Sequence, residues 1–369
     1  MAVIGASDQP GSLRRLFVQN LLATYRGELY LVHPSRKTVA NRAAYPSILD
    51  IPTGVDLAVV LVPSQAVEGV IEQCVAAGVR AAVVISGGFA EIGPEGARLQ
   101  QRIVDTAKSG GLRLVGPNCF GIINTRNGLN ASLGQGLPGA GGVSLVSQSG
   151  AYGMAAFTRS REGDIGFAKV LALGNRADVN ELESLRYLGE DPETQVVAML
   201  LETLGDGRGF YELACAITLQ KPVIVLKTGR TRSAQRAAAS HTAALVDDYA
   251  LTRAALRQAG VHVVEDSQAL LDVAAALDRQ PPLRGRRVGV ITNSGDIGVE
   301  LTDLIEERVL RCHRSRARFR HIWPRICRRM VAPSIPSMSR PLGSAFPRCM
   351  ALAPARYSAL PRSMRSLPY

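Results

Sequence analysis

The chain has 369 residues, enough for two or three domains, and its 46% hydrophobic but 5% aromatic content implies a core of Ala, Val, Leu and Ile. Charged residues at 20% are too few for a disordered chain, and six Cys are too sparse for a disulfide scaffold. The net charge of +12 suggests nucleic acid until it is located: residues 308–369 hold 14 Arg and no Lys, Asp or Glu, against 29 basic and 31 acidic residues before them.

In chain order, short apolar runs at Ala2–Ile4, Leu29–Leu31, Leu57–Val62, Ala81–Ile85 and Leu112–Val115 read as strands. Helical spacing fills the gaps at Leu13–Ala23, Ala66–Ala77 and Gly96–Ser109. Buried strands alternating with helices predict a parallel sheet covered on both faces, ending near Ile123. A Gly-rich connector, Gly128–Gly142, leads to a second series of the same kind. Its strands are expected at Val143–Val146, Phe167–Ala172, Val196–Leu200, Val223–Leu226 and Val261–Val263. Its helices are expected at Gly150–Arg161, Val179–Glu190, Tyr211–Leu219, Asp247–Ala259 and Ser267–Leu277. After the linker Gln280-Pro281-Pro282, Arg287–Thr292 and Gly298–Glu307 begin one more βα unit, and then both periodicities stop. No basic-then-apolar targeting pattern and no run near about 18 apolar residues occurs, so no membrane span and a reducing cytoplasm are expected.

The first motif is Gly5-Ala6-Ser7-Asp8-Gln9-Pro10-Gly11-Ser12, between a strand and a helix. Small residues at such a turn let backbone N–H groups approach phosphate, and the helix dipole favours an anion there. The spacing is not that of a nicotinamide site, and a plain packing turn is the alternative. Three more small loops follow strand ends: Val62-Pro63-Ser64, Ser86-Gly87-Gly88-Phe89 and Gly116-Pro117-Asn118-Cys119-Phe120-Gly121. In a parallel sheet all would converge on the carboxyl edge, where such sheets bind ligands. Ser147-Gln148-Ser149-Gly150 is a second anion-site candidate, or else an ordinary Ser cap. His241, in the small-residue loop Ala239–Leu245, is a candidate nucleophile for phosphate or a structural histidine. Glu202 could orient such a His through an imidazole N–H, or be a solvated carboxylate. His33 and His262 have no motif around them, and no Cys/His spacing suggests zinc.

Taken together, GASDQPGS, VLVPS, ISGGFAE, GPNCFGIIN, LVSQSGAYG, LGNRADV and SHTAAL resemble the NDP-forming acyl-CoA synthetases, the acetate–CoA ligases (ADP-forming), with the succinyl-CoA ligase alpha chain a more distant relative. The resemblance covers residues 1 to about 307. It implies an α/β protein: a Rossmann-like CoA-binding domain at 1–123, a flavodoxin-like ligase domain with a phosphohistidine at 139–280, and a truncated third α/β unit at 284–307. It also implies that Gly5, Ser7, Pro10 and Gly11 line the CoA phosphates, and that Val62, Pro63, Ser86, Gly87, Asn118 and Cys119 line the pantetheine. Ser147, Gln148, Ser149 and Gly150 would hold phosphate, Glu202 would position His241, and His241 would be transiently phosphorylated. Coenzyme A and phosphate are the implied ligands. ATP or ADP with Mg would act only through an ATP-grasp (beta-type) partner or domain, since no such sequence follows. Ala243 and Val246-Asp247 depart from the family's Gly and Ala-Gly, and Asp296 and Arg14 stand where Gly is common. Those departures keep a second reading open, a CoA- or acyl-CoA-sensing module, and a third, a truncated remnant.

Residues 308–369 are expected to be an unstructured, Arg-rich tail translated out of frame. They hold 8 of the 20 Pro and the only Trp, and the change falls inside a βα unit just begun. GC-rich codons permitted for Pro324–Leu342, read two bases on, encode PHLPPYGSPQHPVDVTPAW, similar to the PPY…NPVD-like pattern with which the family continues. No specific nucleic-acid partner is expected, because aromatic–Arg interleaving is missing.

Overall fold

The computed structural model describes residues 1–231, 233–234, 248–281, 285–308 and 311–312. One compact unit spans Met1–Asp278, and a second begins at Arg279.

The first unit holds two sheets. The first contains β1 (Ala2–Ile4), β2 (Tyr30–Val32), β3 (Thr38–Val39), β4 (Arg42–Tyr45), β5 (Leu57–Val60), β6 (Ala81–Val84) and β7 (Arg113–Val115), in the order β3-β4-β2-β1-β5-β6-β7. Every pairing is parallel except the β3–β4 hairpin. β1 is central and apolar at every position because both its faces are covered. Val3 packs with Phe17 and Leu21 of α1 (Leu13–Thr24), whereas Ile4 packs on the opposite face with Ile71 of α2 (Ser64–Ala76) and Ile103 of α3 (Pro94–Ser109). The chain therefore leaves β1 and its neighbour β5 toward opposite faces, which opens a crevice at their carboxyl ends.

The second sheet repeats this plan. It contains β8 (Gly121–Asn124), β9 (Leu129–Ser132), β10 (Ala140–Ser147), β11 (Phe167–Ala172), β12 (Val196–Leu201), β13 (Val223–Lys227) and β14 (His262–Val264), in the order β14-β13-β12-β10-β11-β8-β9. The first five strands of that order are parallel. Leu145 packs with Phe157 of α4 (Gly150–Arg161) and Leu271 of α8 (Ser267–Arg279). On the other face Val146 packs with Leu185 of α5 (Glu181–Glu190), Phe210 of α6 (Gly207–Thr218) and Leu256 of α7 (Tyr249–Gln258). A second crevice thus opens where the neighbouring strands β10 and β12 end.

The expected Gly-rich connector is in part a strand: Leu129–Ser132 pairs antiparallel with Gly121–Asn124 as β9 and β8 on the edge of the second sheet. β9 meanwhile packs Leu129 and Ala131 against Phe17 and Leu21 of α1, so one strand serves both sheets. Buried Asn20 of α1 fastens this junction. Its amide donates to Ser132 O at 3.3 Å and Gly134 O at 2.7 Å, and its Oδ1 accepts from Gly136 N–H at 3.0 Å. The hairpin strands β3 and β4 also escape the sequence reading, being too short and polar for alternation.

In the second unit, β15 (Arg287–Val288) is shorter than the expected Arg287–Thr292, and α9 spans Gly295–Glu307. β16 (Arg311–Cys312) lies beyond Glu307, inside the stretch expected to be unstructured, and pairs parallel with β15. Backbone pairing of this kind makes no demand on side-chain pattern. Among the described residues, no helix is long and apolar enough to cross a membrane.

Candidate functional site

The four small loops of the first sheet converge at its carboxyl edge, and they touch one another. Gly5 has φ +83°, open to glycine and strained for other residues. A Cβ there would stand 3.0 Å from Val62 Cγ1 and 3.2 Å from the Leu61 carbonyl carbon, filling the cradle between the ends of β1 and β5. Ser7 is buried and its Oγ accepts Gln9 N–H at 3.2 Å, which shapes the turn that leaves Pro10 and Gly11 exposed. Gly11 has φ +78° and nothing within 4 Å of its open face. Ser12 then caps α1 by accepting Arg14 N–H at 3.3 Å. Asp8 accepts Ala40 N–H at 3.0 Å and pairs with Arg36 at 2.5 Å; the backbone donor first, then Arg36, hold its carboxyl below the usual value.

Pro63 stands exposed at the cap of α2, and Ser86 Oγ donates to the Val62 carbonyl. Asn118 N–H donates to Ser86 O at 2.9 Å, and a Cβ on exposed Gly87 would approach Asn118 Oδ1 to 3.1 Å. Val62, Pro63, Ser86, Gly87 and Asn118 thus form one rim with the Gly5 turn. Cys119 departs from its expected role. Its side chain is turned inward, with Sγ 3.4 Å from Val84 O, and burial pushes its thiol up to about 12.

The LGNRADV loop, in which no site residue was expected, completes this edge from the second sheet. Leu173–Val179 follows β11 and runs along β7: Asn175 N–H donates to Pro117 O at 2.9 Å, Ala177 N–H to Gly116 O at 3.0 Å and Val179 N–H to Leu114 O at 3.0 Å. The Asn175 amide donates to Glu91 Oε2 at 2.6 Å, and Glu91 Oε1 accepts Gly88 N–H at 2.6 Å. The signal was present in LGNRADV: a Gly-Asn pair after a strand marks a tight turn, and Gly174 indeed has φ +54°.

At the second crevice, Ser147 is fully buried and closes a turn, accepting Ser149 N–H at 3.1 Å and donating to Ser149 O at 2.7 Å. Ser149 takes the cap position of α4 without a side-chain cap, so the first N–H groups from Gly150 onward keep their anion-facing character. Gln148 is differently employed from a phosphate ligand. Its N–H donates to Leu200 O at 3.2 Å, its Oε1 accepts Glu202 N–H at 2.7 Å and Thr203 N–H at 3.1 Å, and its Nε2 donates to Thr203 O at 2.9 Å. Glu202 follows β12 directly; its carbonyl accepts the buried Lys227 Nζ at 2.6 Å, and its side chain is half-buried. His241, Ala243, Val246 and Asp247 lie outside the described residues.

A CoA binding domain family model matches residues 1–125, and a succinyl-CoA ligase like flavodoxin domain model matches residues 140–277. The acetate–CoA ligase (ADP-forming) I of Archaeoglobus fulgidus is 40% identical over 310 residues, covering 83% of this chain and 44% of that protein. The acetate–CoA ligase (ADP-forming) II subunit alpha of Pyrococcus furiosus is 39% identical over 311 residues, covering 84% of this chain and 68% of the subunit. This chain therefore spans less than half of the first relative and about two thirds of the second. The dinucleotide forming acetyl-coenzyme A synthetase 1 of Ca. Korarchaeum cryptofilum, solved in complex with phosphate and ADP, superposes with a TM-score of 0.81 at 34% identity over 90% of this chain and 72% of that one.

Proposed function

This chain belongs to the ADP-forming acetate–CoA ligase family, and from that premise we propose that it carries the CoA and phosphohistidine half of an acyl-CoA synthetase. The supporting observation is geometric. Gln148, just before the start of α4, accepts Glu202 N–H, so the backbone of Glu202 is held next to a helix N-terminus that has no side-chain cap.

Coenzyme A is taken at the first sheet's edge. Its phosphates meet the turn Gly5–Gly11, whose missing Cβ leaves the cradle open, and its pantetheine follows the rim of Val62, Pro63, Ser86, Gly87, Asn118 and the Cys119 backbone. Phosphate is held by the N–H groups from Gly150 onward at the α4 N-terminus, with Ser147 and Ser149 shaping the turn, since Ser149 N–H is already taken by Ser147 Oγ. It attacks the acyl-CoA thioester carbon; the C–S bond breaks, releasing CoA and an acyl phosphate. His241 then attacks phosphorus, the acid leaves, and a phosphohistidine remains, with Glu202 accepting the other imidazole N–H. Transfer to ADP, which needs Mg, belongs to an ATP-grasp partner subunit or domain. The setting is the cytoplasm.

The test is direct. The full chain given acetyl-CoA and labelled phosphate takes up acid-labile label, and His241→Ala abolishes it while CoA binding persists. Ala243 and Asp247 favour a second reading, a CoA- or acyl-CoA-sensing module; CoA binding with no label in the unsubstituted protein would establish that one instead.

A further inference from the structure

We propose that Gln148 and Arg176 are positioning residues that together fix Glu202, and that they act on phosphoryl transfer only through it. The inference rests on the reading of Glu202 as the partner of His241.

Glu202 opens a loop with no regular pairing of its own, running through Thr203 and Leu204 to Gly205. A carboxylate that must meet an imidazole within hydrogen-bond reach cannot sit on a loose loop. Here the backbone on both sides of Glu202 is tied to side chains. Gln148 Oε1 takes the N–H groups of Glu202 and Thr203, and Nε2 returns to Thr203 O, so one amide closes the loop like a strand partner. Arg176 grips Thr203 as well: Nη1 donates to the same Thr203 O at 3.2 Å and Nη2 to Thr203 Oγ1 at 2.6 Å. Glu181 joins the two, accepting Arg176 Nη1 at 2.9 Å on Oε2, standing 3.4 Å from Gln148 Nε2, and taking Gly205 N–H at 2.7 Å on Oε1.

Glu181 is 1% exposed and Gln148 8%, so each unmade bond here would leave a buried polar group unsatisfied. That is a costly arrangement for a loop that only needed to turn. Arg176 also follows Asn175, which binds Glu91 and thereby the rim of the first crevice. The two sites are joined by adjacent residues of one turn, with Arg176 itself held at φ +56°.

The experiment uses the full chain and four variants: Gln148→Met, Arg176→Lys, Glu202→Ala, and Gln148→Met with Glu202→Ala. Arg176→Lys keeps the charge but loses the two-pronged grip, and it guards against a Gln148→Met chain that does not fold. Label uptake from acetyl-CoA and phosphate is expected to slow by about tenfold or more in each single variant, with half-saturating acetyl-CoA within about twofold of the unsubstituted protein. The double variant is expected to match Glu202→Ala alone, because Gln148 has nothing left to position. Deuterium uptake by the Glu202–Thr203 peptide is expected to rise in Gln148→Met and Arg176→Lys while β12 stays protected. Losses that multiply in the double variant, or unchanged labelling with folded single variants, overturn the positioning role alone. An unsubstituted protein that takes no label overturns it together with the proposed function.

Discussion

Asn175 donates its side-chain amide to Glu91 at 2.6 Å, so the loop after β11 of one sheet holds the acidic residue of the third edge loop of the other. Burial pushes the Glu91 carboxyl up, but the bonds from Asn175 and from Gly88 N–H outweigh it and hold the group below its ordinary 4.5. A carboxyl depressed in the folded state stabilises above its unfolded value, and the contribution fades as pH falls through the folded one. Glu91→Gln is therefore expected to lower unfolding free energy at neutral pH by at most about 1 kcal/mol, since solvent screens a half-exposed carboxylate. Urea unfolding of both proteins checks this. The gap should close as pH falls below 4.5; a gap independent of pH would contradict it.

Gly5 and Gly11 share a left-handed φ but not a neighbourhood. A Cβ at Gly5 meets Val62 and Leu61, whereas at Gly11 it meets nothing within 4 Å. Both alanine variants are expected to lose about 1 kcal/mol from backbone strain. Only Gly5→Ala should lose more, by forcing the ends of β1 and β5 apart, and it should weaken CoA affinity the more of the two. Thermal melts and calorimetric CoA titration separate the effects.

The Cys119 and Cys74 thiols are both pushed up to about 12 by burial. Neither should carry thiolate near neutral pH. Iodoacetamide followed by peptide mapping is expected to leave both unmodified in the native protein, to mark half-buried Cys215, and to modify all three in urea.

Asn20→Leu keeps the volume of the side chain but removes the amide partner of the Ser132 carbonyl and the Gly136 N–H, while the Gly134 carbonyl keeps the Asn130 amide at 2.8 Å. Each buried group left unpaired costs about 1–3 kcal/mol. A loss of about 3 kcal/mol or more in equilibrium unfolding is expected, with raised deuterium uptake in β9. A loss near zero would mean that water replaces the amide.

Deleting residues 313–369 removes 12 of the 14 Arg that follow Glu307. Binding to heparin or RNA should fall and lose most of its salt dependence, whereas CoA binding should not change. Retained salt-dependent RNA binding would place the basic surface elsewhere.

Much of the architecture was legible in the residues. Runs such as Val196–Leu201 and Val223–Lys227 are apolar at nearly every position, which only a strand covered on both faces requires. Small residues after β1, β5, β6 and β10 marked the loops that meet at the carboxyl edges, where a Cβ at Gly5 would run into Val62 and Leu61. β8 and β9 were hidden, since Gly121–Asn124 joins the sheet only by pairing with β11, where Ile123 meets Val170 47 residues on, and Leu129–Ser132 joins it only through β8. The role of Gln148 was hidden for a related reason: an amide reads the same from sequence whether it faces an anion or a loop.

What the amino-acid sequence determined by itself was local and periodic: which stretches are strands or helices, where the chain turns, and that its positive charge belongs to the last sixth of the chain. Tertiary structure alone decided which loops meet. Asn175 reaches Glu91 across 84 residues, and Gln148 reaches Glu202 across 54. Hydrogen bonds act over about 3 Å of space regardless of distance along the chain, so such partners exist only once two sheets have been packed and their edges brought together.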